Sequence, residues 1–262
     1  MQLAQVLVLG AIAGFTIYLG LPLARIRGLS QSVRGVLSMF ATGIILFLLF
    51  EILEHALEPT EHALEELFEE GAATGEAALL VFMVASGLAL GLLGLAIIES
   101  RFLRSEPGAP SLQHQRQLAL MIASGIGFHN FSEGLAIGQS YAAGETSLAL
   151  LLIIGFGLHN ATEGFGIAGP LTGEQPSWRF LGLAGLIGGG PTFLGTLLGQ
   201  AIVSEPLSVL FLSLAAGALI YVIRELLNAT RRQAGATTLM TALLAGFLFT
   251  FATELVLEIA GG

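Results

Sequence analysis

Apolar residues run through this chain in long blocks separated by short polar stretches, and the length of the blocks sets the fold. A helix needs roughly 20 mostly apolar residues to cross the hydrocarbon core of a bilayer. Eight blocks reach that length, at about 3–21, 33–53, 77–98, 118–141, 147–168, 180–203, 207–223 and 237–257. Pro22, Pro59, Pro107, Pro110, Pro170, Pro176 and Pro206 fall in the gaps, as expected of loops, and Pro191 alone lies within a block. The pattern predicts an all-α integral membrane protein with eight transmembrane helices, forming one polytopic membrane domain over residues 1–262. The first block lacks a basic start and matches its successors in length, so it reads as a span and not as a cleaved leader.

Composition sharpens this. Only 11% of residues are charged and 54% are hydrophobic, with a mean hydropathy of +0.83; a water-soluble domain carries about a quarter of its residues as charges. The absence of Cys excludes disulfides and thiolate metal sites. A net charge of -9 points to cationic partners and away from nucleic acid.

Where the charges sit adds an orientation. Arg25, Arg27 and Arg34 flank the first connection, Arg101, Arg104 and Arg116 the third, Arg179 lies in the fifth, and Arg224, Arg231 and Arg232 surround the seventh. Basic residues near span ends are retained on the cytoplasmic side. With eight spans, both termini are then extracytoplasmic, and the setting is a cell (inner) membrane crossed many times. The second connection, on the outer side, is acidic: EILEHALEPTEHALEELFEEGAATGE carries Glu51 to Glu76 together with His55 and His62. It reads either as a vestibule that concentrates cations or as a solvated amphipathic helix resting on the bundle through Leu64, Leu67 and Phe68. Glu54 and His55, at the mouth of the second span, are the candidate functional residues there.

The buried polar residues carry the most information. The fourth block contains FHNFSEGLAIG and the fifth LHNATEGFGIA, each with His, Asn, two residues, Glu and Gly. His129 and Glu133, like His159 and Glu163, stand at i and i+4 and share one helix face, with Asn130 and Asn160 on the same broad face. Both histidines lie about halfway along their blocks, and each glutamate is roughly 6 Å further along its helix. A short turn near Tyr141–Thr146 makes the two helices antiparallel neighbours, so two imidazoles, two carboxylates and two amides converge at the midplane. Such residues are costly in a span and usually mark a pathway. Imidazole with carboxylate suits zinc, iron(II), manganese or cobalt better than magnesium or calcium. Helix glue and a proton relay are the competing roles for these groups. An intramembrane metal-dependent enzyme or a metal-sensing membrane protein is the alternative at the level of the whole chain, but HE-x-x-H is absent and no signalling domain is visible.

The two motifs resemble those of the ZIP (Zrt/Irt-like) divalent metal transporters, of bacterial or archaeal type, most specifically at His129–Gly138 and His159–Gly166. The seventh block, AAGALIYVIRELL, is also similar to the Ala/Gly-rich helix of that family. The resemblance implies uptake of zinc, with iron, manganese or cadmium as further substrates, toward the cytoplasm. It implies inverted three-helix repeats flanking helices 4 and 5, a homodimer in the lipid bilayer, an elevator-like or rocking motion, no enzymatic activity and no cofactor beyond the transported ion. Carried over by residue, His129, Glu133 and Glu163 hold the metal, and Asn130, His159 and Asn160 build an adjacent position. Two departures stand out. Ser132 and Thr162 replace the Pro usual before each motif Glu, and the sixth block, GLIGGGPTFLG, offers no acid, so a mononuclear or asymmetric site is expected.

Outside the motifs, Gly188–Pro191 predict a break in the sixth helix, and Gly87, Gly91 and Gly94 predict packing contacts. Arg224 and Glu225 are read as an exit pair or as an interfacial arginine with its neighbour. His114 is expected in a plain loop, and Glu99 and Glu254 have no assigned place.

Overall fold

Hydrocarbon offers no partner to a backbone N–H or C=O, so apolar blocks of this length satisfy themselves as helices. The computed structural model describes residues 3–70, 74–102, 112–201 and 204–261; Arg104, Pro107 and Pro110 lie outside them. The described residues form eight α-helices, α1 (Leu3–Phe15), α2 (Gln31–Glu70), α3 (Thr74–Phe102), α4 (Leu112–Ala142), α5 (Thr146–Ala168), α6 (Trp178–Gly199), α7 (Glu205–Thr230) and α8 (Ala236–Gly261), and no strand. Helix α1 tightens into 3-10 turns at Thr16–Leu19 and Leu21–Arg25, which carry it past Pro22. Gly144, at φ +84°, turns the chain between α4 and α5, a left-handed conformation that costs glycine little.

Seven of these helices are long and apolar enough to cross a membrane, with the 3-10 turns counted as part of the first. The exception is α4. It has 31 residues, about 46 Å at 1.5 Å per residue, but its first turns and its His129–Glu133 segment are polar. The amphipathic cost is met by enclosure: α4 packs against α1, α5, α6 and α7, and its residues from Leu118 to Gly138 are mostly buried.

Two expectations are corrected. Helix α2 does not end before Pro59; it continues for 40 residues to Glu70, so the acidic stretch up to Glu70 is a helical extension and not a loop. Pro59 removes one hydrogen bond, to the carbonyl four residues back, and the rest of the ladder holds the helix. Phe68 on this extension is 84% exposed and does not rest on the bundle. Helix α6 likewise runs unbroken through Gly188–Pro191. Its glycines serve close approach instead. A Cβ on Gly134 would strike the Thr192 carbonyl, one on Gly195 the Phe131 carbonyl, and one on Gly199 the Leu135 carbonyl, so α4 and α6 lie backbone to backbone.

The same device recurs elsewhere. Gly87 and Gly91 of α3 abut the Leu210 and Leu214 carbonyls of α7, whereas Gly94 faces open space. The core gathers Ile17, Ile45, Leu48, Ile122, Ile126 and Leu219 from the central helices. Large apolar side chains such as Phe82, Leu90, Leu244 and Phe251 point outward from α3 and α8, the surface a lipid solvent requires.

The first, fifth and seventh connections meet on one face of the bundle. Arg25 donates to the Pro176 carbonyl, Arg27 to Gln175 at 3.2 Å, and Arg34 pairs with Glu174 at 3.0 Å, which ties the first connection to the fifth. Arg34 of α2, His114 near the start of α4, and Arg231 and Arg232 of the seventh connection line one cavity of about 1040 Å³ on this face.

Candidate metal centre

The i, i+4 spacing in α4 and α5 delivers what it predicts: six polar side chains meet where the two helices cross. His129, Glu133 and His159 are each 5% exposed, Glu163 1%, and Asn130 and Asn160 fully buried. His129 Nε2 lies 3.2 Å from Glu133 Oε1 and 4.0 Å from Glu163 Oε1. His159 Nε2 lies 3.7 Å from Glu163 Oε1, and the two imidazole centres are 5.9 Å apart. One donor atom each from His129, Glu133 and His159 falls within 4.8 Å of the others, spacing that can hold a metal ion.

The asparagines lock the glutamates crosswise. Asn130 Nδ2 donates to Glu163 Oε2 at 3.0 Å and to the Gly188 carbonyl of α6 at 3.0 Å. Asn160 Nδ2 donates to Glu133 Oε2 at 3.4 Å and to the Ala13 carbonyl of α1 at 3.3 Å. Each helix thus positions the carboxylate of the other and is itself anchored to a flanking helix.

What the network leaves over is as informative. His129 Nε2, His159 Nε2, Asn130 Oδ1, Asn160 Oδ1 and Glu163 Oε1 are buried with no hydrogen-bond partner among the described residues. An orphaned buried polar group costs roughly 1–3 kcal/mol, and an uncompensated buried carboxylate on the order of several kcal/mol. Nitrogen and oxygen atoms in surplus, without thiolate, match the chemistry of a divalent transition metal. The two positions that depart from Pro behave differently: Thr162 Oγ1 donates to the His159 carbonyl at 2.7 Å, whereas Ser132 Oγ is buried with no hydrogen-bond partner among the described residues.

Residues outside the motifs are redistributed. Glu54 and His55 are exposed, and His55 Nδ1 sits 2.8 Å from the Glu51 carbonyl. Glu51 of α2 and Glu254 of α8 instead approach His159, with one donor atom of each residue within 4.8 Å of the others. The motif spacing points to neither. A signal for both lies in the sequence: Gly43 precedes Glu51 by the interval at which Gly217 precedes Glu225, and Gly91 precedes Glu99 as Gly246 precedes Glu254. On the arginine-bearing face, Arg224 pairs with Glu225 and lies 3.7 Å from Glu99, to which the Tyr221 hydroxyl donates. His114 belongs to α4 and not to a loop, and it borders a small pocket with Glu99, Tyr221 and Glu225.

A search among curated proteins returns no match. The family model described as ZIP Zinc transporter matches residues 99–254, a stretch that includes both His–Asn–x–x–Glu–Gly motifs and covers more than half of the sequence, and the chain belongs to the ZIP zinc transporter family.

Proposed function

We propose that this divalent metal transporter carries zinc toward the cytoplasm through a midplane site built from His129, Asn130, Glu133, His159, Asn160 and Glu163. The observation that carries the proposal is the crosswise pairing with surplus donors. Two carboxylates are held in place by two amides, and both imidazoles turn an unpartnered Nε2 toward them. A dication between the two helices would be met by donor atoms that the network leaves unused, His129, Glu133 and His159 among them. His129, Glu133 and Glu163 make the primary position, with iron, manganese and cadmium as secondary substrates, because such donor sets discriminate weakly among these ions.

Eight spans follow when α4 is counted, since its polar residues face other helices and not lipid. The arginines gather on one face, which the positive-inside tendency assigns to the cytoplasm; both termini then lie outside an inner cell membrane, in one domain over residues 1–262. The cavity beside Arg34 and Arg231 would be the inward vestibule.

Inverted three-helix repeats, α1–α3 and α6–α8, are supported by paired contacts. A Cβ on Gly14 would strike the Gly189 carbonyl and the reverse holds. Gly164 abuts the Ile17 carbonyl of α1 as Gly134 abuts that of Thr192 in α6. Gly217 abuts Leu88 of α3 as Gly43 abuts Leu243 of α8, and Gly91 meets Leu214 as Gly246 meets Phe40. One exchange of halves maps every contact onto its mate, and it also exchanges the two asparagine networks. A homodimer is consistent with the exposed apolar faces and is proposed from family membership alone.

Zinc accumulation in vesicles or cells tests the site. His129→Ala and Glu163→Ala are each expected to abolish flux while the protein still inserts and elutes as a single species. Undiminished flux in both would remove the midplane site from the pathway.

A further inference from the structure

We infer that Glu51, His159 and Glu254 form a second position for a divalent transition-metal cation, beside the central cluster and sharing His159 with it. This rests on the transport role proposed for the central cluster and adds a station to it. The three residues come from α2, α5 and α8, so no single helix motif builds the site. Their donor atoms lie within 4.8 Å of one another, and His159 Nδ1 is 4.0 Å from Glu254 Oε2. Three ligands at zinc bonds of about 2.0–2.2 Å lie roughly 3.3–3.8 Å from one another, so closure brings each pair together by about an ångström.

The imidazole of His159 has two faces with different neighbours. Its Nε2 addresses Glu163 and the central cluster, and its Nδ1 addresses Glu254. Neutral imidazole offers one lone pair at a time, so the ring serves either position by changing tautomer, and His129, Glu133 and Glu163 hold the central ion while Nδ1 serves the second. Glu51 Oε2 is buried with no hydrogen-bond partner among the described residues, and the His159 ring is itself 95% buried, with Nε2 unpartnered. Glu254, at 38% side-chain exposure, gives the position its access from the face opposite the arginines.

The exchange of halves shows how the two faces differ. Glu51 and Glu225 each stand eight residues beyond the equivalent glycines Gly43 and Gly217, and Glu99 and Glu254 stand eight beyond Gly91 and Gly246. His159 corresponds to His129. The mates of Glu51 and Glu254 are therefore Glu225 and Glu99, on the arginine-bearing face. There the carboxylates are neutralised by Arg224 and bonded by Tyr221. At the corresponding positions of α2 stand Phe50 and Phe47. The two faces share a pair of carboxylates, and one has an arginine where the other has an aromatic ring. The face without the arginine has the carboxylate charge to hold a dication.

Counting bound Cd²⁺ on the purified full-length protein tests this. Wild type is expected to hold two ions per chain. Glu51→Gln with Glu254→Gln, nearly isosteric changes, is expected to hold one, and His129→Ala with Glu133→Gln is also expected to hold one. In vesicles the first pair should raise the KM for Cd²⁺ uptake about tenfold with little change in kcat, whereas the second pair abolishes turnover. One ion in wild type, retained after Glu51→Gln with Glu254→Gln and lost after His129→Ala with Glu133→Gln, overturns the second position and leaves the central site standing. One ion lost only with Glu51 and Glu254 supports the second position and removes the central one.

Discussion

Asn130 and Asn160 each spend one amide on a carboxylate from the other helix and on a carbonyl from a flanking helix. That leaves each Oδ1 buried with no hydrogen-bond partner among the described residues. An asparagine so placed orients the metal-binding glutamate, and loss of such an orienting partner typically weakens metal affinity by about 10–100-fold. Asn130→Ala and Asn160→Ala are therefore expected to raise the Kd for zinc by about that factor without abolishing binding, as measured by equilibrium titration. Asn130→Asp should behave differently, because a third carboxylate beside Glu163 repels it until a dication is bound. Its zinc affinity should depend more steeply on pH than that of wild type. Unchanged affinity in both alanine variants would mean that the crosswise hydrogen bonds serve helix packing alone.

At the scale of elements, glycine spacing decides which helices touch. The approach of α4 to α6 places the Gly188 carbonyl within reach of Asn130, so interface and site are one construction. Gly134→Ala puts a methyl against the Thr192 carbonyl, and such overpacking costs about 1–3 kcal/mol. Lower thermal stability together with reduced zinc uptake is expected. Gly94→Ala, which meets open space, should be neutral or raise stability by about 0.5–1 kcal/mol through helix propensity. Much of this level was legible in advance. The length of the apolar blocks located every helix, and the two His–Asn–x–x–Glu–Gly segments located the cluster, because a period of four residues on a helix is a local property. The continuation of α2 past Pro59 was not legible, since one proline in a helix that stays otherwise hydrogen-bonded does not end it. Nor was the convergence of Glu51 and Glu254 on His159. It depends on how α2 and α8 pack, which side-chain spacing within one helix does not encode. The repeat that relates these residues to Glu225 and Glu99 is written in the chain, but faintly: ATGIILFLLFEIL and AAGALIYVIRELL share little beyond small residues, apolar character and one glutamate.

For the molecule as a whole, charge placement and packing bear on the same two faces. The first and fifth connections are joined by Arg25, Arg27 and Arg34, while the Glu-rich extension of α2 leaves the bundle at the opposite end from Gln31. An ion crossing from the acidic face to the basic one meets Glu51 and Glu254 first, then the central cluster, then Glu225 and the cavity beyond it. The sequence has no Cys, so sidedness can be measured on a background that needs no prior substitution. Single cysteines at Gln233, in the seventh connection, and at Glu145, in the turn between α4 and α5, should label from opposite sides of the membrane. A membrane-impermeant thiol reagent added to intact cells is expected to modify Glu145→Cys and to spare Gln233→Cys until the membrane is opened. Because the turn at Glu145 and the Glu-rich end of α2 fall on the same side of an eight-span topology, Glu65→Cys should follow Glu145→Cys. If Gln233→Cys labels first in intact cells, the bundle is inverted, and Glu225 with its cavity becomes the outer mouth of the pathway.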